Sequence, residues 1–291
     1  MPHKPVLFEE TLRYLDLSPG AVVVDGTLGG GGHAEAILEK IGEKGVLIGL
    51  DQDEQAIKRC QEKFQAHPNV RICHANFRLI GEVLKELHFS QVDAVLLDVG
   101  VSSFQIGEAE RGFSFQREGP LDMRMNTTEG STAADLVNQL PSKELDRILF
   151  EWGEERFARK ITKAICDRRI KKKFQTTLDL ADTISKIIPR RGHLHPATRT
   201  FQGLRIAVND ELGALEEGLR FGFENLVSGG KMAVISFHSL EDRLVKNFFR
   251  DKMREGEGVV LSKKPITPSR FEIQLNPRSR SAKLRVIEKK S

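Results

Sequence analysis

Short apolar runs alternate with helical segments over the first hundred residues of the chain. The runs that predict strands are rich in β-branched residues and apolar throughout, at 21–27, 45–51, 70–76 and 92–100. Between them, segments such as 53–64 place their apolar side chains on roughly one helical face. Strands of this kind, separated by helices, are typical of a parallel sheet covered on both faces. The pattern therefore predicts a doubly wound α/β fold.

The strand pattern stops between about residues 110 and 205. Helical segments fill this stretch, and one long helical stretch follows over about 198–227. Strands resume at 231–239, a helix is expected over 240–253, and two apolar runs follow, at 259–265 and 282–290. The simplest arrangement is one α/β domain, formed by 1–109 and 207–291, that is interrupted by an all-helical insertion at 110–206.

Composition narrows the class of protein but not its function. The chain is 39% hydrophobic and 30% charged, which is ordinary for a folded soluble protein. No apolar run approaches the ~20 residues of a membrane span, and no secretory signal is recognisable, so we expect a cytoplasmic protein without a membrane partner. Cys60, Cys73 and Cys166 lack metal-ligand spacing, and no metal is expected. The net charge of +4 is too small to require nucleic acid.

The loop after the first strand is the first candidate for chemistry. The sequence DGTLGGGGH (25–33) follows that strand directly and opens a helix. Glycines let the backbone approach a ligand closely, and a helix N-terminus offers unpaired N–H groups. Asp51 ends the second strand, where a carboxylate accepts hydrogen bonds from ribose hydroxyls. The loop therefore indicates a cofactor with a ribose, either NAD or S-adenosylmethionine; the alternative is a purely structural turn.

Two further acids favour S-adenosylmethionine over NAD. Asp25 lies just ahead of the glycines, and Asp98 ends the fourth strand. A carboxylate at these places can face a cationic sulfonium or amino group, whereas it would disfavour a pyrophosphate. For Asp98, capping of the next turn is the structural alternative.

Several long segments resemble one family, the bacterial MraW/RsmH family. They occur in order over nearly the whole chain: DGTLGGGGH (25–33), LDVGVSS (97–103), ERGFSFQREGPLDMRM (110–125), GEERFARKI (153–161), HPATRTFQGLRIAVNDEL (195–212), ISFHSLEDR (235–243) and NPRSRSAKLR (276–285). The resemblance implies a class I (Rossmann-like) methyltransferase sheet of about seven strands. It also implies an enzyme that uses S-adenosylmethionine to methylate the N4 amine of a cytidine in small-subunit (16S) ribosomal RNA near the decoding centre, with the helical insertion positioning the RNA.

The resemblance also assigns donor-binding residues. Positions matching the family's donor site are Gly31, Gly32, His33, Asp51, Phe77, Asp98 and Gln105. Phe77 matches a residue on the adenine side. The chain departs from the family at Phe104, where Pro is expected before Gln105, and Gly107 follows shortly after. This departure bears on the rigidity of the loop. An Asp/Asn-Pro-Pro-aromatic motif is also missing, so acceptor contacts cannot be transferred from the amino-group methyltransferases that carry it.

Transfer of a methyl group to an amine demands alignment and a proton acceptor. The base must also leave any stack to enter the site. The catalytic candidates are Asp98, Ser102 and His238, each with a structural alternative: a turn residue for Ser102 and a hydrogen-bonded core histidine for His238. Asp122 and Arg124 are substrate-binding candidates, or they form a structural ion pair.

Contact with RNA is expected to begin with its phosphates. The cations Arg168, Arg169, Lys171, Lys172 and Lys173 form a dense basic run in the insertion, which is either an RNA contact or a solvated face. Arg199, with His193 and His195 nearby, either touches RNA or fixes the domain junction. The family resemblance implies that the partner is 16S ribosomal RNA within a small-subunit particle, and a homodimer is possible.

Two other functions remain open from the residues alone. An NAD-dependent oxidoreductase would also use the glycine loop, although no hydride-transfer constellation is recognisable. A catalytically silent nucleotide-binding scaffold of ribosome assembly would share the loop and the basic patches.

Overall fold

The computed structural model describes residues 5–188 and 195–290, so His193 lies outside the described residues. The described strands form one seven-stranded sheet in the order β3-β2-β1-β4-β5-β7-β6. The strands are β1 (Val22–Asp25), β2 (Val46–Asp51), β3 (Val70–His74), β4 (Val92–Asp98), β5 (Leu226–Ser236), β6 (Gly258–Val260) and β7 (Lys283–Lys289).

Thirteen α-helices are found in the described residues. They are α1 (Phe8–Leu15), α2 (Gly32–Ile41), α3 (Glu54–Lys63), α4 (Ile80–Glu86), α5 (Ser103–Gly107), α6 (Ala133–Gln139), α7 (Ser142–Arg147), α8 (Ala158–Lys171), α9 (Thr177–Ile187), α10 (Thr198–Asn209), α11 (Glu211–Glu224), α12 (Ser239–Arg254) and α13 (Arg270–Leu275). A π-helical turn, Ile148–Trp152, follows α7.

Strands β1 to β5 are parallel, whereas β7 pairs antiparallel with both β5 and β6. The predicted parallel sheet therefore carries an antiparallel edge. Strand β1 lies between β2 and β4, so the strand order reverses there. In an open α/β sheet, ligands bind beyond the carboxyl ends of the strands at such a switch point. Asp25, Asp51 and Asp98 end three of these strands, which brings them to that edge.

The apolar strands are buried on both faces, as their composition predicts. Successive residues of β1 enter different cores: Val23 packs with Leu47 and Leu96, whereas Val24 packs with Ile48 and Leu97 among other side chains. This alternation follows from the two-residue period of a strand. Buried helix residues complete each core on its own face of the sheet.

The chain divides into two compact units. The first is Met1–Gly100 with Leu212–Ser291 and contains the sheet, and the second is the continuous segment Val101–Glu211. In its described residues, the second unit contains helices and one isolated bridge between Pro120 and Thr176, but no strand. Its own core includes Leu145, Phe174 and Leu204. The units divide after residues 100 and 211, whereas the sequence pattern predicts boundaries after residues 109 and 206.

The helical stretch expected over about 198–227 is helical for most of its length but is divided into two helices and ends earlier, at Glu224. Helix α10 ends at Asn209, and Asp210 takes a left-handed conformation with φ of 47° before α11 begins. A positive φ outside glycine breaks the hydrogen-bond ladder of a right-handed helix. The last residues of the expected helix belong instead to β5, which begins at Leu226. None of the described helices is long and apolar enough to cross a membrane.

Candidate donor site and acceptor residues

The glycine loop turns tightly between β1 and α2. Gly29 and Gly31 both have positive φ, of 52° and 69°. A Cβ added at Gly31 would lie 2.9 Å from the Phe64 ring, and one at Gly32 would lie 2.5 Å from Pro5. Glycine at both places is therefore required by the protein's own packing. Gly31 is the N-cap residue of α2, and no side chain accepts a hydrogen bond from the first N–H groups of this helix. These N–H groups are the ones that a helix leaves unpaired at its start.

Asp51 holds the glycine loop from the end of β2. Its Oδ2 accepts a hydrogen bond from the N–H of Gly29 at 2.8 Å, and its Oδ1 accepts one from the N–H of Asp53 at 2.9 Å. Each carboxylate oxygen can accept further hydrogen bonds. Asp51 can therefore fix the loop and still accept from a ribose hydroxyl.

Asp98 is connected to the loop through Thr27. The N–H of Asp98 donates to Thr27 Oγ1 at 2.7 Å, and the N–H of Thr27 donates to Asp25 Oδ1 at 3.1 Å. Asp98 Oδ2 lies 3.7 Å from His33 Nε2. The other oxygen, Oδ1, is buried and has no hydrogen-bond partner among the described residues. An orphaned carboxylate oxygen at this edge marks a place where a ligand can bind.

Burial raises the pKa values of all three acids at this edge. The pKa of Asp25 rises to about 7, with the charge of Asp51 adding to the effect of burial, and that of Asp51 rises to about 6. Burial, with the nearby charges of Asp25 and Glu241, raises the pKa of Asp98 to about 8. Burial also lowers the pKa of His33 to about 4, so its ring is neutral near pH 7. The charge of Arg59 lowers the pKa of Asp51 by less than burial raises it. Desolvated acids of this kind suit a positively charged ligand.

Phe77 begins a short 3-10 turn after β3 and lies near the same loop. A Cβ at Gly26 would lie 3.0 Å from Phe77 Cβ, and one at Gly218 would lie 2.5 Å from its ring. The half-buried ring therefore packs against the backbone of α11. Contact of Phe77 with an adenine stays a prediction.

His238 follows β5 and caps α12. Its Nδ1 accepts from the N–H of Glu241 at 3.4 Å, while Glu241 Oε2 accepts from the N–H of His238 at 3.1 Å, which completes a capping box. Its Nε2 lies 3.1 Å from Glu241 Oε1. The structural alternative for His238 is thus present in the molecule, and its catalytic role stays a prediction.

Ser102 and Gln105 belong to the second unit and cap α5. Ser102 Oγ accepts from the N–H of Gln105 at 3.2 Å, and Gln105 Oε1 accepts from the N–H of Ser102 at 2.9 Å. These reciprocal bonds satisfy two backbone donors of the short helix. The donor contact of Gln105 and the catalytic role of Ser102 remain predictions.

Asp122 and Arg124 form a two-point ion pair inside the second unit. Arg124 Nε donates to Asp122 Oδ1 at 2.9 Å, and its terminal nitrogen donates to Oδ2 at 2.8 Å. Burial alone would raise the pKa of Asp122, but the hydrogen bonds and charge of Arg124 outweigh it and lower that pKa. Substrate binding by this pair stays a prediction beside its structural role.

The structure divides the basic candidates of the second unit into two kinds. Three arginines bind carbonyl oxygens of their own unit: Arg168 that of Lys172, Arg169 that of Val137 and Arg199 that of Glu154. Arg168 also pairs with Asp179 and lies over the Phe174 ring. The side chains of Lys171, Lys172 and Lys173 are exposed. The basic run is therefore partly structural.

Sequence reasoning missed Thr27 and Glu241. Thr27 links Asp25 to Asp98 as described, and Glu241 is buried with Oε2 also accepting from the N–H of Phe237 at 2.8 Å. The position of Glu241, three residues after a cap, was the signal that could have found it.

A sheet with this switch point and with acids at the ends of β1, β2 and β4 is the arrangement of a class I methyltransferase that uses S-adenosylmethionine. The crystal structure of a candidate rRNA methylase from Clostridium thermocellum is similar to the whole chain, with a TM-score of 0.50 at 13% identity, covering 100% of this chain and 99% of that one. This likeness supports the fold.

The chain belongs to the MraW methylase family, whose model matches residues 1–290. Two relatives are named "Ribosomal RNA small subunit methyltransferase H". The protein of Heliobacterium mobile is 47% identical over 99% of this chain and 98% of its own length. That of Caldicellulosiruptor bescii is 48% identical over 99% of both chains. The predicted family, fold class and cofactor are confirmed, and the oxidoreductase and silent-scaffold alternatives are wrong.

Proposed function

We propose that this chain transfers the methyl group of S-adenosylmethionine to the exocyclic N4 amine of one cytidine in small-subunit (16S) ribosomal RNA, near the decoding centre. Relatives that share nearly half of its residues over their whole length are named for small-subunit ribosomal RNA. The observation that carries the site is the set of three carboxyl groups with raised pKa values at the ends of neighbouring strands, of which Asp25 is buried and Asp98 has an orphaned oxygen.

The donor is held by residues of the first unit. Asp51 accepts hydrogen bonds from the ribose, and the glycine loop with Gly31, Gly32 and His33 lines the same edge. Asp25 and Asp98 balance the positive charge of the donor, which supplies an electrophilic methyl group when bound. Phe77 and Gln105 complete the donor contacts in this proposal.

Asp98 is the best proton acceptor among the three catalytic candidates. Ser102 Oγ and His238 Nδ1 serve as helix caps, whereas Asp98 Oδ1 has no hydrogen-bond partner among the described residues. The second ring nitrogen of His238, Nε2, also has no hydrogen-bond partner there, but it lies 3.1 Å from Glu241 Oε1. A pKa of about 8 also lies close to physiological pH, where an acceptor is most effective. In its carboxylate form, Asp98 would accept a hydrogen bond from the amine, which localises the nitrogen lone pair. After methyl transfer, the same carboxylate would take the proton that the methylated nitrogen loses.

We propose that the substrate is the small-subunit particle and that the reaction takes place in the cytoplasm. Sedimentation of the purified protein tests the predicted homodimer. These assignments concern the setting of the reaction and do not alter the residues of the donor site.

Transfer of labelled methyl groups tests the proposal. In vitro transcribed small-subunit RNA and small subunits lacking the modification are each incubated with the enzyme and the labelled donor, and the labelled nucleotide is identified after digestion. Label on the N4 of a single cytidine is the expected result. Label on a ribose, on another base or on neither substrate would contradict the proposal.

A further inference from the structure

Helix α8 has a solvent face that is unusually basic. Its buried side chains include Ala158, Ile161 and Ile165, which lie on one side of the helix. On a period of 3.6 residues the opposite side carries the exposed residues Arg159, Lys160, Lys163, Asp167, Ile170 and Lys171. Four of these six are basic and one is acidic. The basic residues therefore form a stripe near the two ends of the helix, with Asp167 between Lys163 and Lys171 on the same face.

The lysines of this stripe are not neutralised by the protein itself. Lys160, Lys163 and Lys171 make no ion pair with any described residue. Arg159 approaches Asp146 at 3.8 Å, but its side chain is 96% exposed. Charges that remain uncompensated in a folded protein attract an oppositely charged partner.

Exposed apolar side chains accompany the stripe. Phe157 immediately precedes α8 and is 38% exposed, and Ile170 near its end is 84% exposed. Phe150, in the π-helical turn before α8, is 64% exposed. The N–H of Glu155 donates to the carbonyl of Leu149 at 3.1 Å, which ties this turn to the start of α8. Phenyl rings beside cations provide stacking surfaces for unpaired bases.

We propose that the solvent face of α8, with Phe150 and Phe157 at its N-terminal end, is a docking surface for single-stranded RNA of the substrate. The lysines and Arg159 contact phosphates, and the two rings stack on unpaired bases. This inference rests on the proposed function, since it concerns where the ribosomal RNA lies. It moves the expected phosphate contacts from the run 168–173 to both ends of the helix, because Arg168 and Arg169 are bound within their own unit.

The charge arm of the test compares two triple variants. The first is Lys160→Gln, Lys163→Gln and Lys171→Gln. The matched control, Lys40→Gln, Lys85→Gln and Lys246→Gln, removes three exposed lysines from helices α2, α4 and α12 of the first unit. Glutamine has nearly the helix propensity of lysine, so both variants should fold. Binding of in vitro transcribed small-subunit RNA is measured by fluorescence anisotropy over a range of salt concentrations.

We expect the α8 variant to bind RNA at least about tenfold more weakly than the control. The slope of log affinity against log salt should also fall by about 2, as expected for three lost phosphate contacts to a single strand. The stacking arm uses Phe150→Leu with Phe157→Leu, which retains apolar bulk but removes both rings. It should weaken binding by about five- to a hundredfold and leave the salt slope unchanged.

Two outcomes would overturn the proposal. Equal RNA binding by the α8 and control variants would make the stripe a solvated face. Loss of binding to small-subunit particles, with binding to the naked RNA retained, would assign the face to a ribosomal protein. Methyl transfer by the unaltered enzyme is recorded in parallel. Its absence would contradict the proposed function, while the binding measurements would still decide the role of α8.

Discussion

At the scale of single residues, the proposed donor site is formed by acids that the fold has desolvated. Asp25, Asp51 and Asp98 end β1, β2 and β4, which are three adjacent strands of the sheet. Burial is the largest cause of the raised pKa of each acid. Such acids oppose stability while they are charged, and a cationic ligand offsets that cost. We therefore expect the same side chains to set both the affinity for the donor and its dependence on pH.

Replacement of Asp51 by Asn should weaken donor binding by about ten- to a hundredfold, because a charged hydrogen-bond acceptor contributes about 1.5–3 kcal/mol. Isothermal titration calorimetry with S-adenosylmethionine measures the change. Asp93→Asn is a suitable control, since Asp93 lies at the amino end of β4 and accepts from the N–H of Val22. Unchanged affinity in Asp51→Asn would contradict a role for Asp51 on the ribose.

Donor affinity should rise as the pH rises from about 5.5 to about 8.5. The raised pKa values mean that protons must leave these acids before they can balance a positive charge, and each pKa unit corresponds to about 1.36 kcal/mol. The folded protein binds protons on these acids more tightly than the unfolded chain does, because their pKa values are raised. The stability that this gives the free protein is fully present below about pH 3.8 and is lost as the pH rises through about 6 to 8.

Calorimetry at several pH values, in two buffers with different enthalpies of ionisation, would detect the release of protons on binding. S-adenosylhomocysteine serves as the internal control, because it lacks the sulfonium charge and its affinity should depend less on pH. A donor affinity that falls with rising pH would show that these acids do not face the charge of the donor.

At the scale of elements, two of the side chains that the sequence suggests as catalysts serve as helix caps. Ser102 caps α5 and His238 caps α12, each through a capping box with the residue three positions later. A cap of this kind satisfies backbone donors that would otherwise be unpaired at a helix end. Such residues can be indispensable for the fold of a loop without touching the substrate.

Ser102→Ala should lower stability by about 1 kcal/mol, because it removes the cap of α5. Ser102→Asn should restore both stability and methyl transfer, since asparagine caps a helix as well as serine does. Thermal unfolding and the kcat of methyl transfer are measured for both variants. A stable Ser102→Asn protein without activity would instead assign the hydroxyl group to the chemistry.

At the scale of the whole molecule, the proposed donor-binding acids and the proposed RNA surface lie in different units. The acids belong to Met1–Gly100 with Leu212–Ser291, and α8 belongs to Val101–Glu211. The second unit has its own apolar core, and its chain is continuous. Because the cores are separate, we expect substitutions to change donor binding and RNA binding independently.

Hydrogen exchange measured with and without donor should show which backbone amides donor binding protects. We expect added protection at the amides of Gly29, Asp53 and Asp98, because the donor stabilises the loop and strand ends that these amides hold in place. Protection of the amides of α5 would support the donor contact predicted for Gln105. Protection confined to the first unit would refute that contact.

The alternation of apolar strands and helices was sufficient to predict the parallel part of the sheet, the helical insertion and the acids at the strand ends. Periodicity reveals these features because burial on two faces requires long apolar runs. It could not reveal the antiparallel direction of β7, which depends on how the chain returns after β6. The break at Asp210 was also hidden, since a single left-handed residue leaves little trace in the apolar pattern.

The sequence by itself determined the family, the α/β fold and the glycine loop with its acids, because these depend on local pattern and on motifs of contiguous residues. Only the tertiary structure decided which polar side chains remain available. It showed Asp98 with an orphaned oxygen, Ser102 and His238 as helix caps, Arg168 bound within its own unit, and the lysines of α8 left exposed. Hydrogen-bond partners and burial are set by residues distant along the chain, so they could be assigned only after folding had brought those residues together.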